Sequence, residues 1–190
     1  MAKSDKTDRR VRYTKAALRE ALVAQMQDRH ISAITVKSLC RQADVNRSTF
    51  YLHYRNQFDL LKQVEEEMID DLRRRLDNQL DTEGAGPVSL RTMTEVMEYA
   101  RENSALARAL LSENSGIGFK QDVMQLTPMF SDSVAVGYDP RTRAYIATYC
   151  IDGAIAMVEK WLRDGSIETP RQIAELLVQM VFGSVASFSE

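Results

Sequence analysis

Residues 46–56 read NRSTFYLHYRN. Two arginines, two small hydroxyl residues, a tyrosine and a histidine stand here among the rings Phe50 and Tyr54. At helical spacing these side chains divide into faces. Phe50 and Tyr54, four apart, share one face and point inward with Leu39 and Val45. Arg47, Ser48, Tyr51 and Arg55 then point outward, with Thr49 and His53 at the flanks. A guanidinium bonds the edge of guanine bidentately, and serine, threonine and tyrosine hydroxyls reach bases or phosphates. The chemistry on offer is recognition of a duplex, carried on a helix with an apolar back.

Such a helix needs neighbours that hold it at a fixed angle. Thr35 is a good N-cap for a short helix ending near Ala43. Ile34 and Leu39 stand at the positions of a hydrophobic staple across that cap. Asp44-Val45-Asn46 makes a tight turn, in which Ala43 permits close contact and Val45 fills the space between helices. Asn46 is expected to cap the helix from Arg47 to Tyr54. Helix, three-residue turn, helix is the geometry that sets a second helix in the DNA major groove. A first helix is expected from Thr14 to about Asp28, with Leu18, Leu22 and Met26 on one face. After it comes a long helix capped by Asn56, striped by Leu61, Val64, Met68, Leu72, Leu76 and Leu80.

The rest of the chain is also helical in spacing. DTEGAGP at 81–87 breaks the long helix with two glycines and a proline. Helices are expected near 89–103, 104–112 and 119–134, the last shortened or kinked by Pro128. Two strong helices follow, 141–165 stopped by Gly165 and 170–188 started by Pro170. The expectation is an all-α chain of about nine helices.

Charge is split along the chain. Residues 1–62 hold 13 Lys and Arg against 6 Asp and Glu, whereas 63–190 hold 12 against 21. A basic head on an acidic body implies that the head meets a polyanion. Cys40 and Cys150 fit no disulfide or metal spacing and read as small apolar core residues. His30 has no companion ligands, so no metal site or cofactor is expected. No nucleophile elbow, zinc helix or phosphate loop occurs, which argues against an enzyme. The acidic pair Asp70-Asp71 reads as the wet side of a helix. With no apolar leader and no membrane-length apolar run, the expected location is the cytoplasm.

TVKSLCRQADVNRSTFYLHYRNQFDLL resembles the DNA-binding signature of the TetR family of bacterial transcriptional regulators. The marks are the Thr-capped second helix, the Ala-x-Val turn, the Ser-Thr-Phe-Tyr-x-His-Tyr core and the long helix that follows. They span about residues 10–65. Beyond them the likeness is one of helix number and order, with Gly153 and Trp161-Leu162 resembling one branch of the family. The resemblance implies a three-helix DNA-binding head over 1–56 and a helical effector-binding and dimerisation body over 57–190. It implies phosphate and some base contacts by Thr35, Val36 and Lys37, base reading by Arg47, Ser48 and Thr49, backbone contacts by Tyr51 and His53, and phosphate binding at Gln57, where a helix N-terminus offers amides. Relatives mostly carry Lys where Gln57 stands and Gly where Asp44 stands, which puts the strength of the backbone grip in question more than its location. Arg9, Arg10, Arg12 and Lys15 either reach the minor groove and flanking phosphates or belong to a disordered tail.

In such a body Met68, Met93, Met97 and Met124 fall on the helices that surround an effector cavity. Tyr99, Tyr145 and Tyr149 would add polar handles. Methionine stripes also serve as plastic core filler. A cavity of this make suits a flexible apolar or aromatic ligand. The last two helices carry more apolar surface than one small domain covers, and Gly153 and Ala154 permit close helix approach. A homodimer with a four-helix, two-fold interface is expected. Two recognition helices then read a pseudo-palindromic operator with centres about 34–36 Å apart or a multiple.

Together these readings give a dimeric, ligand-responsive repressor of transcription. The alternative is a DNA-binding protein whose body recruits a protein partner and takes no small molecule.

Overall fold

The computed structural model describes residues 2–80, 89–116, 118–125 and 137–186. Nine α-helices occur among them. They are α1 (Ala2–Met26), α2 (Val36–Gln42), α3 (Arg47–Tyr51), α4 (Gln57–Leu80), α5 (Leu90–Glu102), α6 (Ser104–Leu111), α7 (Gly118–Met124), α8 (Pro140–Arg163) and α9 (Pro170–Ala186). Short 3-10 turns sit at Ile31–Ala33 and Glu113–Ser115. No strand occurs among the described residues, so the fold is all-α as expected. The break at 81–87, Pro128, and the ends of the helices expected to reach 134 and 188 lie outside the described residues.

Local chemistry accounts for the turn region. Thr35 Oγ1 accepts from the Ser38 N–H at 3.1 Å while Ser38 Oγ accepts from the Thr35 N–H at 3.2 Å. This reciprocal box satisfies a donor that the start of α2 would leave open. Ile34 and Leu39, the staple pair, are fully buried. Asp44 adopts φ 52, the left-handed conformation that aspartate tolerates better than most side chains. The Val45 N–H donates to the Cys40 carbonyl at 2.9 Å and closes the turn.

Two details differ from expectation here. The Asn46 side chain makes no capping bond, and only its carbonyl enters the helix, accepting from the Phe50 N–H at 3.0 Å. Regular helix also ends at Tyr51 rather than Tyr54. The Tyr54 N–H still donates to the Phe50 carbonyl at 3.0 Å, which returns its ring to the core.

Asn56 caps α4 with one oxygen, Oδ1 accepting from the Phe58 and Asp59 amides, each at 2.9 Å. Asp59 Oδ2 reaches back to the Arg55 N–H at 2.8 Å, one residue earlier than a regular box. α1 starts at Ala2 instead of Thr14. Residues 2–13 contain no glycine or proline to stop a helix, and their Lys and Arg favour one. The basic residues Arg9, Arg10 and Arg12 therefore stand exposed on a helix, neither an extended arm nor a coil.

A continuous apolar cluster runs from Leu18 and Leu22 on α1 through Phe50, Leu60 and Met68 to Leu110, Phe119, Trp161 and Leu177. Each large side chain in it contributes about 1.5–3 kcal/mol. α9 packs along α5, and α6 lies against both α8 and α1. At the end of α1 two amides secure the junction. Gln27 Nε2 donates to the Ala105 carbonyl at 3.0 Å, and Asn114 Nδ2 to the Met26 carbonyl at 2.9 Å.

Candidate functional site

α3 sorts its residues by depth. Phe50 is fully buried and Tyr54 is 5% exposed, with ring centroids 5.5 Å apart. Burial, with Glu67 and Asp59 adding, pushes the Tyr54 hydroxyl up to about 12, so it stays a neutral core group. Opposite these rings Arg47, Ser48 and Tyr51 are exposed, while Thr49 and His53 are half-buried. Leu52 shares the outer arc and is 78% exposed. At the start of α2, Thr35 and Lys37 are exposed, but the Val36 side chain is buried. Val36 is thus a core residue whose only outward offering is its first-turn amide. At the start of α4, Asn56 engages the amides of residues 58 and 59, which leaves that of Gln57 as the first-turn donor outside the cap.

In the other half of the molecule α4, α5, α6, α7, α8 and α9 line a partly open cavity of about 190 Å³. Met68, Met93, Met97, Phe119, Ile155 and Leu177 are among its lining residues, and its wall is almost wholly apolar. Tyr99 lines it too. Its hydroxyl donates to Asp71 Oδ2 at 3.0 Å, and Arg75 lies 4.5 Å over the ring centroid. Burial and then the bond to Asp71 push that hydroxyl up to about 12. Asp71 is therefore a hydrogen-bond partner and not merely a wet-side charge.

Residues 90–183 match the family model described as a transcriptional regulator C-terminal region. That region follows a helix-turn-helix carrying the motif at 35–61. The chain belongs to the TetR family of transcriptional regulators. An uncharacterized HTH-type transcriptional regulator of Bacillus subtilis strain 168, YxbF, is 24% identical over 169 residues. The match takes in 87% of this chain and 44% of that relative, so the chain spans less than half its length. A TetR transcriptional regulator from Streptococcus agalactiae 2603V superimposes with TM-score 0.67 at 21% identity, covering 94% of this chain and 98% of that one. The regulator FadR of Bacillus subtilis, in complex with stearoyl-CoA, superimposes with TM-score 0.64 at 15% identity, covering 88% and 97%.

The effector residues expected from the TetR resemblance divide. Met68, Met93 and Met97 line the cavity, whereas Met124, Tyr145 and Tyr149 do not. Tyr145 is 64% exposed and Tyr149 73% exposed. The reason is the phase of α8. Cys150, Ile151, Ala154, Ile155 and Val158 hold the cavity side at spacings of one, three and four, which turns the tyrosines to the opposite side. Exposed with them are Asp152, Gly153 and Ala156. Among the described residues no His, Cys, Asp and Glu cluster could hold a metal ion, and no helix is long and apolar enough to cross a membrane.

Sequence reasoning on this TetR-family chain passed over two residues. Leu52 was hidden by its polar neighbours, although an aliphatic on an outward helical arc is itself a signal. Glu65 was lost among the acidic residues of EEE at 65–67, yet it is buried and its Oε1 has no hydrogen-bond partner. Its carboxyl accepts from the Phe119 N–H and is pushed up to about 7, first by burial and then by Asp122. Only the α4 stripe, in which Glu65 follows Val64 and precedes Met68, hinted at that depth.

Proposed function

We propose that this TetR-family regulator is a ligand-responsive, dimeric repressor that occludes a promoter by binding a pseudo-palindromic operator. Residues 1–56 serve as the DNA-binding head and 57–190 as the effector-binding and dimerisation body, acting in the cytoplasm. The observation that carries the reading is the outer arc of α3, with Arg47, Ser48, Tyr51 and Leu52 exposed over a fully buried Phe50. Arg47 supplies a fork for guanine, Ser48 and Thr49 short hydroxyl contacts, and Leu52 an apolar surface for a thymine methyl. Thr35, Lys37, Tyr51, His53 and the amides of Val36 and Gln57 contact phosphates.

Two copies meet through the exposed faces of α8 and α9. Tyr145, Tyr149, Gly153 and Ala156 lie on the first, and Leu176 and Met180, 44% and 57% exposed, on the second. Beyond its own stretch of helix nothing stands within 4 Å of where a Gly153 side chain would be, so a partner helix has room to approach.

The cavity argues for an apolar effector. Its about 190 Å³ resembles the roughly 150 Å³ apolar cavity that binds a benzene-sized guest. An aromatic ring or a segment of acyl chain fits this wall, and the acyl option is supported by the stearoyl-CoA complex of FadR. An effector preferring one arrangement of α4 shifts the spacing of the two heads and lowers operator affinity by linkage.

The test is selection of bound duplexes from a random pool, followed by Arg47→Ala. Enrichment of a pseudo-palindrome is expected, with discrimination at one guanine falling by about 1–3 kcal/mol in the variant. No enrichment of any sequence, with affinity insensitive to salt, would remove the DNA-reading function.

A further inference from the structure

We propose that Glu65 is a proton-responsive latch tying α7, and with it the Phe119 wall of the apolar cavity, to the helix that begins beside the recognition segment. The latch is local geometry; its effect on DNA rests on the operator-binding reading above. Glu65 stands one turn before the cavity residue Met68 on α4 and is only 7% exposed. Its carboxylate accepts from the Phe119 N–H at the start of α7. A Cβ at Gly118 would lie 3.4 Å from Oε2, so α7 begins in contact with the carboxyl. Phe119 is 2% exposed and lines the cavity, so a displacement of this end of α7 moves the wall.

The charges around the latch decide how it works. Asp122 faces Glu65 from α7, and Lys62 and Glu66 act from α4 itself. Lys120, the basic residue of α7, is engaged by Glu159 of α8 at 3.3 Å. Ionised Glu65 therefore meets a second carboxylate and holds a buried oxygen without a partner. Both features oppose the charged form and outweigh the Phe119 N–H and Lys62, which favour it. Protonated Glu65 still accepts the Phe119 N–H and no longer repels Asp122. Protonation draws α7 onto α4, and ionisation pushes it away. Burial and Asp122 set the transition near neutral pH.

Amide exchange of residues 118–124 in the full chain tests the latch, with wild type and Glu65→Gln compared at about pH 6 and about pH 8 after correction for intrinsic rates. Glutamine is neutral at both. The expected result is equal protection of the two proteins at the lower pH and roughly tenfold weaker protection of wild type at the higher. Equal protection at both pH values overturns the latch. Asp122→Asn gives an independent arm and should restore part of the protection at the higher pH, burial being the larger cause; exchange as fast as wild type there also overturns it.

Operator affinity at constant ionic strength tests the coupling. It should fall several-fold more in wild type than in Glu65→Gln over the same interval. A loosened α7 with parallel affinity curves overturns the coupling to DNA. Absence of specific DNA binding by either protein instead refutes the repressor reading, and the exchange result still decides the latch.

Discussion

The ring of Phe50 meets that of Tyr51 edge-on with centroids 5.5 Å apart, yet the first is fully buried and the second 54% exposed. The neighbours thus have opposite duties. Phe50→Ala should cost about 3–5 kcal/mol of stability by leaving a cavity between α2, α3 and α4. Tyr51→Ala should cost only about 1 kcal/mol, the edge contact, while reducing operator affinity. Urea unfolding beside fluorescence anisotropy on a selected operator separates the two. Equal stability losses would contradict this division.

Leu52 has no protein neighbour that needs it, at 78% exposure. If it reads a thymine methyl, replacing one operator thymine by uracil should weaken wild-type binding by about 1 kcal/mol. Leu52→Ala should bind both duplexes equally. A uracil scan that distinguishes wild type nowhere would leave Leu52 outside the reading set.

Gly153 offers a direct test of the association face. Gly153→Glu places a charge on the exposed side of α8, where nothing beyond its own stretch of helix lies within 4 Å of the added Cβ. Helix propensity should rise slightly, since glycine is poor within a helix. The dimer should dissociate at concentrations where wild type stays paired. Sedimentation gives the answer, and an unchanged mass would move the interface elsewhere.

Stability should depend on pH through Glu65. Its carboxyl is raised from 4.5 to about 7 in the folded chain, so the native state holds a proton that the unfolded state releases. The contribution is fully present below about pH 4.5 and is lost as pH rises through about 7. Glu65→Gln should remove that slope and be more stable than wild type above neutrality, on the order of 2 kcal/mol. Denaturant midpoints across the interval check the sign. A variant less stable than wild type at high pH would oppose it.

The helix-turn-helix was legible because its signals are local. Thr35 caps within three residues, Ile34 and Leu39 bracket that cap, and Phe50 and Tyr54 sit one turn apart. The cavity was only half legible, because which side of a helix faces inward is settled by its neighbours. In α8 two apolar series overlap in one broad arc, and the tyrosines beside them carry no mark of direction. Tyr99, expected as a polar handle, lines the wall but spends its hydroxyl on Asp71, which lies 28 residues earlier in the chain. Asn46 failed as a cap although it is a favoured type, since capping depends on a rotamer that composition does not specify.

The two amides that fasten the end of α1 both bond to peptide oxygens, those of Met26 and Ala105. A bond to the main chain is indifferent to which side chain the acceptor residue carries. Drift at Ala105 can therefore alter size without severing the fastening, whereas Met26 is itself a core residue only 1% exposed; loss of the amide at Asn114 or Gln27 severs it outright. The junction is robust at one end of each bond and brittle at the other, and random mutagenesis should recover altered regulators at 27 and 114 more often than at 105.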